Sequence, residues 1–292
     1  MVTRAYLGRL ERYSHGLRGF WRSYSRNRPA VLGFGILIAL TAIAVLTDRL
    51  DPYNPFGIYP SEVLLPPSSS HPFGTDDLGR DILKLIMFGS KTSLLVGFSA
   101  VFIASSIGII VGAISGYYGG KVEDILMRFT DMLLIIPNFF LILLIVALFG
   151  SSLRNVVLVI GFMTWPGTAR LLRSTFLSLR EQEFVQAARV VGASHLRIIF
   201  RHLLPNGIYP VIVNSSLQVG SAILTEAGLS FLGLGDPSLV SWGRMLSIAQ
   251  MYVRRAWWMA AFPGAAIFIT VMAFNLIGDG LNDALNPRLR ER

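Results

Sequence analysis

The chain contains no cysteine, which excludes disulfide bonds, thiolate metal ligands and a cysteine nucleophile. Charged residues are also scarce, at 15% of the 292 residues against about 25% in an average soluble domain. Hydrophobic residues make up 53% of the chain, a composition typical of a membrane protein. The net charge of +9 would suggest nucleic-acid binding in a soluble protein, but in a membrane protein it indicates basic loops held in the cytoplasm.

The sequence also lacks a catalytic constellation. The glycine-rich stretch ending in Lys121 and Val122 lacks the first glycine of a phosphate-binding loop, and Val122 replaces the hydroxyl that would bind magnesium. His195 and His202 lie seven residues apart, about 10 Å along a helix, which is too far for one metal ion. We therefore predict a chain that is not an enzyme, binds no metal or cofactor, and does not hydrolyse ATP by itself.

Six apolar runs are long enough to cross a bilayer. They predict an all-α membrane protein with six transmembrane helices. Pro137 predicts a kink in the third run, and Pro166 with Gly167 predicts an interruption of the fourth. The predicted spans cover residues 30–46, 93–115, 132–149, 156–172, 208–234 and 257–277.

The polar segments between these runs predict how the chain lies in the membrane. Residues 1–29 carry arginines and an apolar face, which predicts an amphipathic helix on the cytoplasmic surface, ahead of a transmembrane domain at 30–292. The proline-rich stretch 47–91 predicts an extended extracytoplasmic loop that leads into a short amphipathic helix. With both termini in the cytoplasm, eighteen of the 26 Lys and Arg lie on the cytoplasmic side.

The segment 174–206 is the longest polar amphipathic interlude in the second half of the chain, and its pattern predicts two helices with a break between them. Gly192 is predicted to end the first helix, Ser194 to cap the second, and Pro205 to end it. The predicted apolar stripes are Phe184, Ala188 and Val191 on the first helix and Leu196, Ile199 and Leu203 on the second.

Two basic helices around a Gly-Ala-Ser turn also fit a DNA-binding helix-turn-helix. Apolar segments of membrane-spanning length flank this one on both sides, so we predict no nucleic-acid partner. The segment is similar to the "EAA" loop of ABC-importer permeases, with Gln186-Ala187-Ala188, Gly192 and Leu204-Pro205 in register. Two positions depart from that pattern: Gln186 replaces the acidic residue, and His202 stands where the pattern has isoleucine.

Four further blocks resemble the dipeptide/oligopeptide/nickel branch of these permeases. They are residues 74–81, 226–235, 241–243 and 278–287. The resemblance implies a type I ABC importer permease in the cell membrane, in which residues 174–206, the coupling loop, dock onto a cytoplasmic ATPase. The residues it assigns to ATPase coupling are Gln186, Ala187, Ala188, Arg189, Gly192, Ser194, Arg197, Arg201 and Pro205.

The resemblance also implies partners that this chain lacks. They are a second homologous permease subunit, two cytoplasmic ATPase subunits that hold ATP and Mg, an extracytoplasmic solute-binding protein and the lipid bilayer. The implied function is to form half of a translocation pathway for di- and oligopeptides. Nickel chelates, glutathione or another small solute are the alternative substrates.

Ionisable residues at membrane depth are functional candidates by default. Glu226 lies within the fifth span, where it either lines the pathway or has a structural role with hydroxyl or backbone partners. Arg128 and Asp131 have the spacing of a local pair at the cytoplasmic boundary. A self-sufficient secondary transporter or channel is the alternative class, but the sequence shows neither its repeated halves nor several intramembrane carboxylates.

Overall fold

The computed structural model of the chain describes residues 19–50 and 54–285, and within these ranges the regular structure is helical. The predicted amphipathic helix over residues 1–29 falls largely outside the described residues. The α-helices, numbered in chain order, are α1 (Arg28–Leu50), α2 (Ile82–Tyr118), α3 (Gly120–Ile135), α4 (Asn138–Phe149), α5 (Leu153–Arg180), α6 (Glu183–Val190), α7 (His195–Ile198), α8 (Leu204–Gly207), α9 (Tyr209–Phe231), α10 (Trp242–Ala249) and α11 (Trp258–Leu285).

Four of these helices, namely α1, α2, α5 and α11, are long and apolar enough to cross a bilayer alone. Two bent helix pairs bring the number to six if each pair is one span. The first pair is α3 with α4, and the second joins residues 195–207 to α9. The all-α fold is therefore confirmed, with four to six spans, and the upper number is the one predicted.

Proline has opposite effects at two of the predicted irregularities. At Pro137 the chain leaves the helical conformation altogether, and α3 and α4 meet at an angle of 82°. At Pro166 the predicted interruption is wrong, because α5 continues without a break through Pro166 and Gly167. The neighbouring residues Trp165, Thr168 and Ala169 are buried, so packing holds this turn in the helical conformation despite the missing amide hydrogen.

Helix α2 is also longer than predicted, because the expected short amphipathic helix and the second span are one helix of 37 residues. Asp81 begins it: its carboxylate accepts a hydrogen bond from the amide of Lys84 at 3.1 Å. No proline interrupts the run that follows. The proline-rich loop ahead of it contains one short 3₁₀ helix, Pro60–Glu62, and an isolated bridge between Thr75 and Asp81.

Helices α2 and α5 share the most extensive contact in the bundle. Gly108, Gly112 and Gly116 recur every fourth residue on α2 and face α5. A Cβ atom on Gly112 would lie 2.6 Å from the carbonyl oxygen of Ala169, and one on Gly116 would lie 2.6 Å from Cβ of Phe176. Small residues at this spacing let two helix backbones approach closely, which is how helices associate in lipid.

Two tryptophans join loops to the helix bundle at the end opposite the coupling loop. Indole nitrogen Nε1 of Trp258 donates to the carbonyl of Thr75 at 3.0 Å, and that of Trp242 donates to the carbonyl of Ile86 at 3.0 Å. Both side chains are buried, so each N–H has a partner, as a buried indole requires. The loops that precede α2 and α10 are thereby fixed in position.

Candidate functional site

The coupling loop begins as predicted, with a helix that ends in a defined turn. Helix α6 ends at Val190, and Gly192 follows with φ of +79°. The amide of Gly192 donates to the carbonyl of Arg189 at 2.9 Å, and the amide of Ala193 donates to that of Ala188 at 3.0 Å. These two bonds form a Schellman motif, whose left-handed position favours glycine.

The second half of the coupling loop differs from the prediction at its end. The hydroxyl of Ser194 accepts from the amide of Arg197, which confirms Ser194 as the cap of α7. Pro205 does not end the helix. The backbone widens into a π-helical stretch at Ile199–Leu203 and continues as α8 through Gly207. Pro205 sits in the first turn of α8, where a missing amide hydrogen costs little.

One face of the coupling loop packs against the bundle. Val185, Ile198, Ile199 and Leu203 are buried against residues at the ends of α2, α5 and α9. The predicted stripes were therefore wrong in part, since Phe184, Val191 and Leu196 are exposed and Val185 takes the buried position. A one-residue error in a helical pattern turns the predicted face by about 100°. The bundle residues in this cluster are Ala113, Tyr117, Leu172, Phe176 and Val211.

Polar contacts also join this loop to the end of α2. The hydroxyl of Tyr117 and Nδ1 of His195 lie 2.7 Å apart in a hydrogen bond. The guanidinium carbon of Arg189 lies 5.8 Å from the centre of the Tyr117 ring, within cation–π range. Gln186 donates from Nε2 to the carbonyl of Arg180 at 3.2 Å. The loop is thus attached to α2 and α5 by both apolar and polar contacts.

The opposite face of the coupling loop is open. Of the nine residues predicted to couple to an ATPase, eight are exposed and Ala188 is half-buried. Val190 and Val191 lie beside the turn at 89% and 85% exposure and were missed as part of this surface. Arg189, Arg197 and Arg201 of the same loop are exposed as well. Large exposed apolar side chains together with arginine are typical of a protein-binding surface.

Glu226 lies near the end of α9, beside the loop that follows this helix. Its side chain is 3% exposed, and Oε1 accepts from the hydroxyl of Ser230 at 2.6 Å. Among the described residues, the other oxygen, Oε2, has no hydrogen-bond partner. Asp236 lines the same small cavity and accepts from the amide of Leu153 at 2.9 Å, so the cavity lies where α5 begins.

The carboxylate of Asp236 is held in its charged form. Its Oδ1 accepts from the hydroxyl of Ser238 at 2.6 Å, and this bond, with the amides of Leu153 and Ser238 and the charge of Arg244, holds the pKa of Asp236 below its usual value. Asp236 therefore supplies a fixed negative charge beside Glu226. Within residues 19–50 and 54–285, no three His, Asp or Glu residues converge as metal ligands would.

Asp131 has a different partner from the one predicted. Its carboxylate pairs with Arg170 of α5 rather than with Arg128 on its own helix. A second ion pair, between Glu123 and Arg173, joins the same two helices. These interhelical pairs could not be read from local spacing, because they depend on how α3 crosses α5.

Two family models match the chain. Residues 108–291 match the inner membrane component of binding-protein-dependent transport systems. Residues 17–67 match the N-terminal transmembrane domain of oligopeptide transport permease C. Together they cover the first span and, from residue 108 within α2, the region that contains the coupling loop, while residues 68–107 lie in neither match.

Several relatives are similar over nearly the whole chain. The dipeptide transport system permease protein DppC of Escherichia coli is 42% identical, over 94% of each chain. The protein of the same name from Alkalihalophilus pseudofirmus is 41% identical over 94% of this chain and 90% of its own. The glutathione transport system permease protein GsiD of Pectobacterium atrosepticum is 40% identical over 94% of this chain and 91% of its own.

Among solved structures, the fold is similar to a chain of the MetNI methionine ABC transporter in inward-facing conformations. The TM-score is 0.57 at 17% sequence identity, over 68% of this chain and 94% of that one. At this identity the likeness concerns the fold alone, which is that of a type I importer permease.

The turn of the coupling loop yields a first prediction. A Cβ atom at Gly192 would meet no atom within 4 Å, so only backbone strain opposes a substitution there. Gly192→Val should cost about 1–3 kcal/mol in the left-handed conformation and change the angle between α6 and α7. Asparagine tolerates this conformation, so Gly192→Asn is the matched control.

We expect Gly192→Val to leave the protein in the membrane at normal abundance. Its complex with the ATPase should assemble weakly, or should hydrolyse ATP without responding to loaded binding protein, while Gly192→Asn stays close to wild type. Membrane abundance, co-purification and stimulated ATP hydrolysis are the measurements. Normal behaviour of Gly192→Val, or its loss from the membrane, would contradict a role of this turn in coupling.

A second prediction concerns Glu226. If Glu226 serves transport, Glu226→Gln should assemble normally and transport slowly, because the amide keeps the size of the side chain and removes its charge. If the carboxylate is structural, the same change should lower the yield of folded complex, since the Ser230 hydrogen bond is weakened. Ser230→Ala separates the two roles: it should reproduce only the structural effect. Size-exclusion yield and uptake rate distinguish these outcomes.

Proposed function

Because the chain belongs to the family of inner membrane components of binding-protein-dependent transport systems, as a permease subunit of an ABC importer, we propose that it forms half of a translocation pathway for di- and oligopeptides. Full-length similarity of about 40% to permeases named for dipeptide transport is the observation that carries this proposal. A self-sufficient secondary transporter or channel does not agree with membership of this family.

The proposed complex contains a second homologous permease, two cytoplasmic ATPase subunits and an extracytoplasmic solute-binding protein. ATP and Mg bind to the ATPase subunits, and this chain supplies no catalytic group. The exposed face of the coupling loop supports an ATPase contact, since Val190 and Val191 present apolar surface on a loop that also exposes three arginines. The same nine residues predicted from the sequence form this proposed contact.

The proposed mechanism is mechanical. Closure of the ATPase dimer displaces the coupling loop, and the loop cannot move alone, because Val185, Ile198 and Leu203 share a core with α2, α5 and α9. The Tyr117–His195 hydrogen bond adds a polar link to the end of α2. A rigid-body movement of the loop is thereby passed to the spanning helices, which change between inward- and outward-facing arrangements.

The substrate is proposed from the names of relatives. Permeases for dipeptides and for di- and tripeptides are 37–42% identical to this chain, and a permease for glutathione is 40% identical. All of these substrates are small zwitterionic peptides. Nickel chelates and other small solutes are the alternatives.

A reconstituted complex tests this function. The permease pair, the ATPases and the binding protein are placed in liposomes, and uptake of a radiolabelled dipeptide is measured with and without ATP. We expect uptake only with ATP and loaded binding protein. Glutathione and a nickel chelate are measured in parallel, and exclusive uptake of either one would contradict the assignment to unmodified di- and oligopeptides while retaining the transport function.

The proposed orientation, with both termini in the cytoplasm, is tested separately. The chain has no cysteine, so single cysteines at the exposed residues Ser69 and Ser178 report the two sides of the membrane without interference. A membrane-impermeant thiol reagent should label Ser69→Cys from outside intact cells and Ser178→Cys only after the cells are opened. Labelling of both from outside would contradict the six-span topology.

A further inference from the structure

The side chains of the ion pair between Asp131 and Arg170 are about half exposed. Nη2 and Nε of Arg170 donate to Oδ1 of Asp131 at 2.5 and 3.1 Å. The side chains nevertheless keep 54% and 50% of their surface exposed. Both donors bind the same oxygen, so Oδ2 of Asp131 makes no hydrogen bond within the described residues.

This exposed pair lies near the boundary of the hydrocarbon core. Arg170 follows Leu153, the first residue of α5, by 17 residues, which is about 26 Å along the helix axis. The hydrocarbon core of a bilayer is about 30 Å thick, and the amide of Leu153 bonds Asp236 in a loop outside the spans. Charges this close to the far boundary face water, lipid headgroups or another protein rather than lipid tails.

The surface of α3 indicates water. Asp124, Arg128 and Asp131 lie four and three residues apart, so they form one exposed charged stripe along the helix. The stripe begins near the end of α3 that adjoins the coupling loop, where Gly119 lies beside Arg180. It therefore leads from the cytoplasmic end of the bundle up to the Asp131–Arg170 pair. An apolar stripe occupies another face of α3 and consists of Ile125, Phe129 and Met132, all exposed.

Joining α3 to α5 does not require this pair to be open. The second pair, Glu123 with Arg173, connects the same two helices, and its side chains are only 17% and 34% exposed. The chain thus holds one sheltered interhelical pair and one open pair of the same chemical type. The open pair offers one carboxylate oxygen and one guanidinium to a ligand.

We propose that Asp131 and Arg170 form a substrate subsite at the cytoplasmic end of the translocation pathway, which takes the charged termini of a zwitterionic peptide. Oδ2 of Asp131 accepts from the peptide ammonium group, and the guanidinium of Arg170 pairs with the peptide carboxylate. The two protein charges satisfy each other when no substrate is present. This subsite rests on the proposed peptide-import function.

The first test asks what covers the pair. Asp131→Cys and Met132→Cys are compared in the complete complex in liposomes without ATP. Met132 is the control, because its side chain is 63% exposed and is turned about 100° away on the same helix. A charged, membrane-impermeant thiosulfonate added on the ATPase side should modify Asp131→Cys faster. Equal rates, or stronger quenching of a fluorescent label at residue 131 by brominated lipid, would place this face against lipid and overturn the subsite.

The second test separates substrate contact from helix packing. In Asp131→Asn, ATP hydrolysis stimulated by loaded binding protein should stay near wild type, while peptide delivered per ATP falls about tenfold, the factor for loss of one charged hydrogen bond. Glu123→Gln, which weakens the sheltered pair, should leave delivery per ATP unchanged. An unchanged ratio in Asp131→Asn, or an equal fall in both variants, would contradict the subsite.

Two controls complete the design. If Asp131→Asn does not assemble, Arg170→Lys is used instead, because lysine keeps the positive charge and lacks the planar guanidinium fork. The same fall in peptide delivered per ATP is expected. A wild-type ratio in Arg170→Lys would overturn the subsite. Import by the wild-type complex is measured beside every variant. Absence of wild-type import would contradict the proposed function, whereas normal import with unaffected variants would contradict only the subsite.

Discussion

The close contact between α2 and α5 is the constraint on which the rest of the structure depends. Lipid tails are as apolar as leucine, so burial of apolar surface does not drive two helices together in a membrane. Close backbone packing does, and Gly108, Gly112 and Gly116 permit it along one face of α2. Their partners on α5 include Ala169 and Phe176, which leave no room for a Cβ atom. Packing along α5 also explains why Pro166 does not break that helix.

The coupling loop packs on one end of this helix pair. Tyr117 at the end of α2 and Phe176 near the end of α5 belong to the buried cluster against which Val185, Ile198 and Leu203 pack. The loop therefore has a buried face fixed to the spanning helices and an exposed face. The proposed mechanism depends on this division, because a movement of the exposed face reaches the spanning helices through the buried one. Helix α3, which carries the charged stripe, is joined to the same helix pair where Glu123 and Asp131 bond arginines of α5.

Much of the coupling loop could be predicted, because its turn chemistry is local. Gly192 adopts the left-handed conformation that glycine takes at low cost, and Ser194 caps the next helix through its own hydroxyl. The buried face could not be predicted as reliably, because the pattern placed Phe184 on the buried face and the structure buries the next residue, Val185. Apolar residues occupy both faces of this segment, so periodicity alone does not distinguish the face that packs on the bundle from the face that binds a partner.

The amino-acid sequence alone predicts an all-α membrane protein without thiol chemistry, the helix–turn–helix outline of the coupling loop and the family to which the chain is similar. These features follow from composition, from run length and from residues that act on their own backbone. Contacts between distant helices, in contrast, decide that α5 continues through Pro166 and that Pro137 separates α3 from α4 by 82°. They also decide that Asp131 bonds Arg170, 39 residues away, rather than Arg128. A proline's effect and a charge's partner depend on which helix packs alongside, and helix packing is set by contacts between residues distant in sequence.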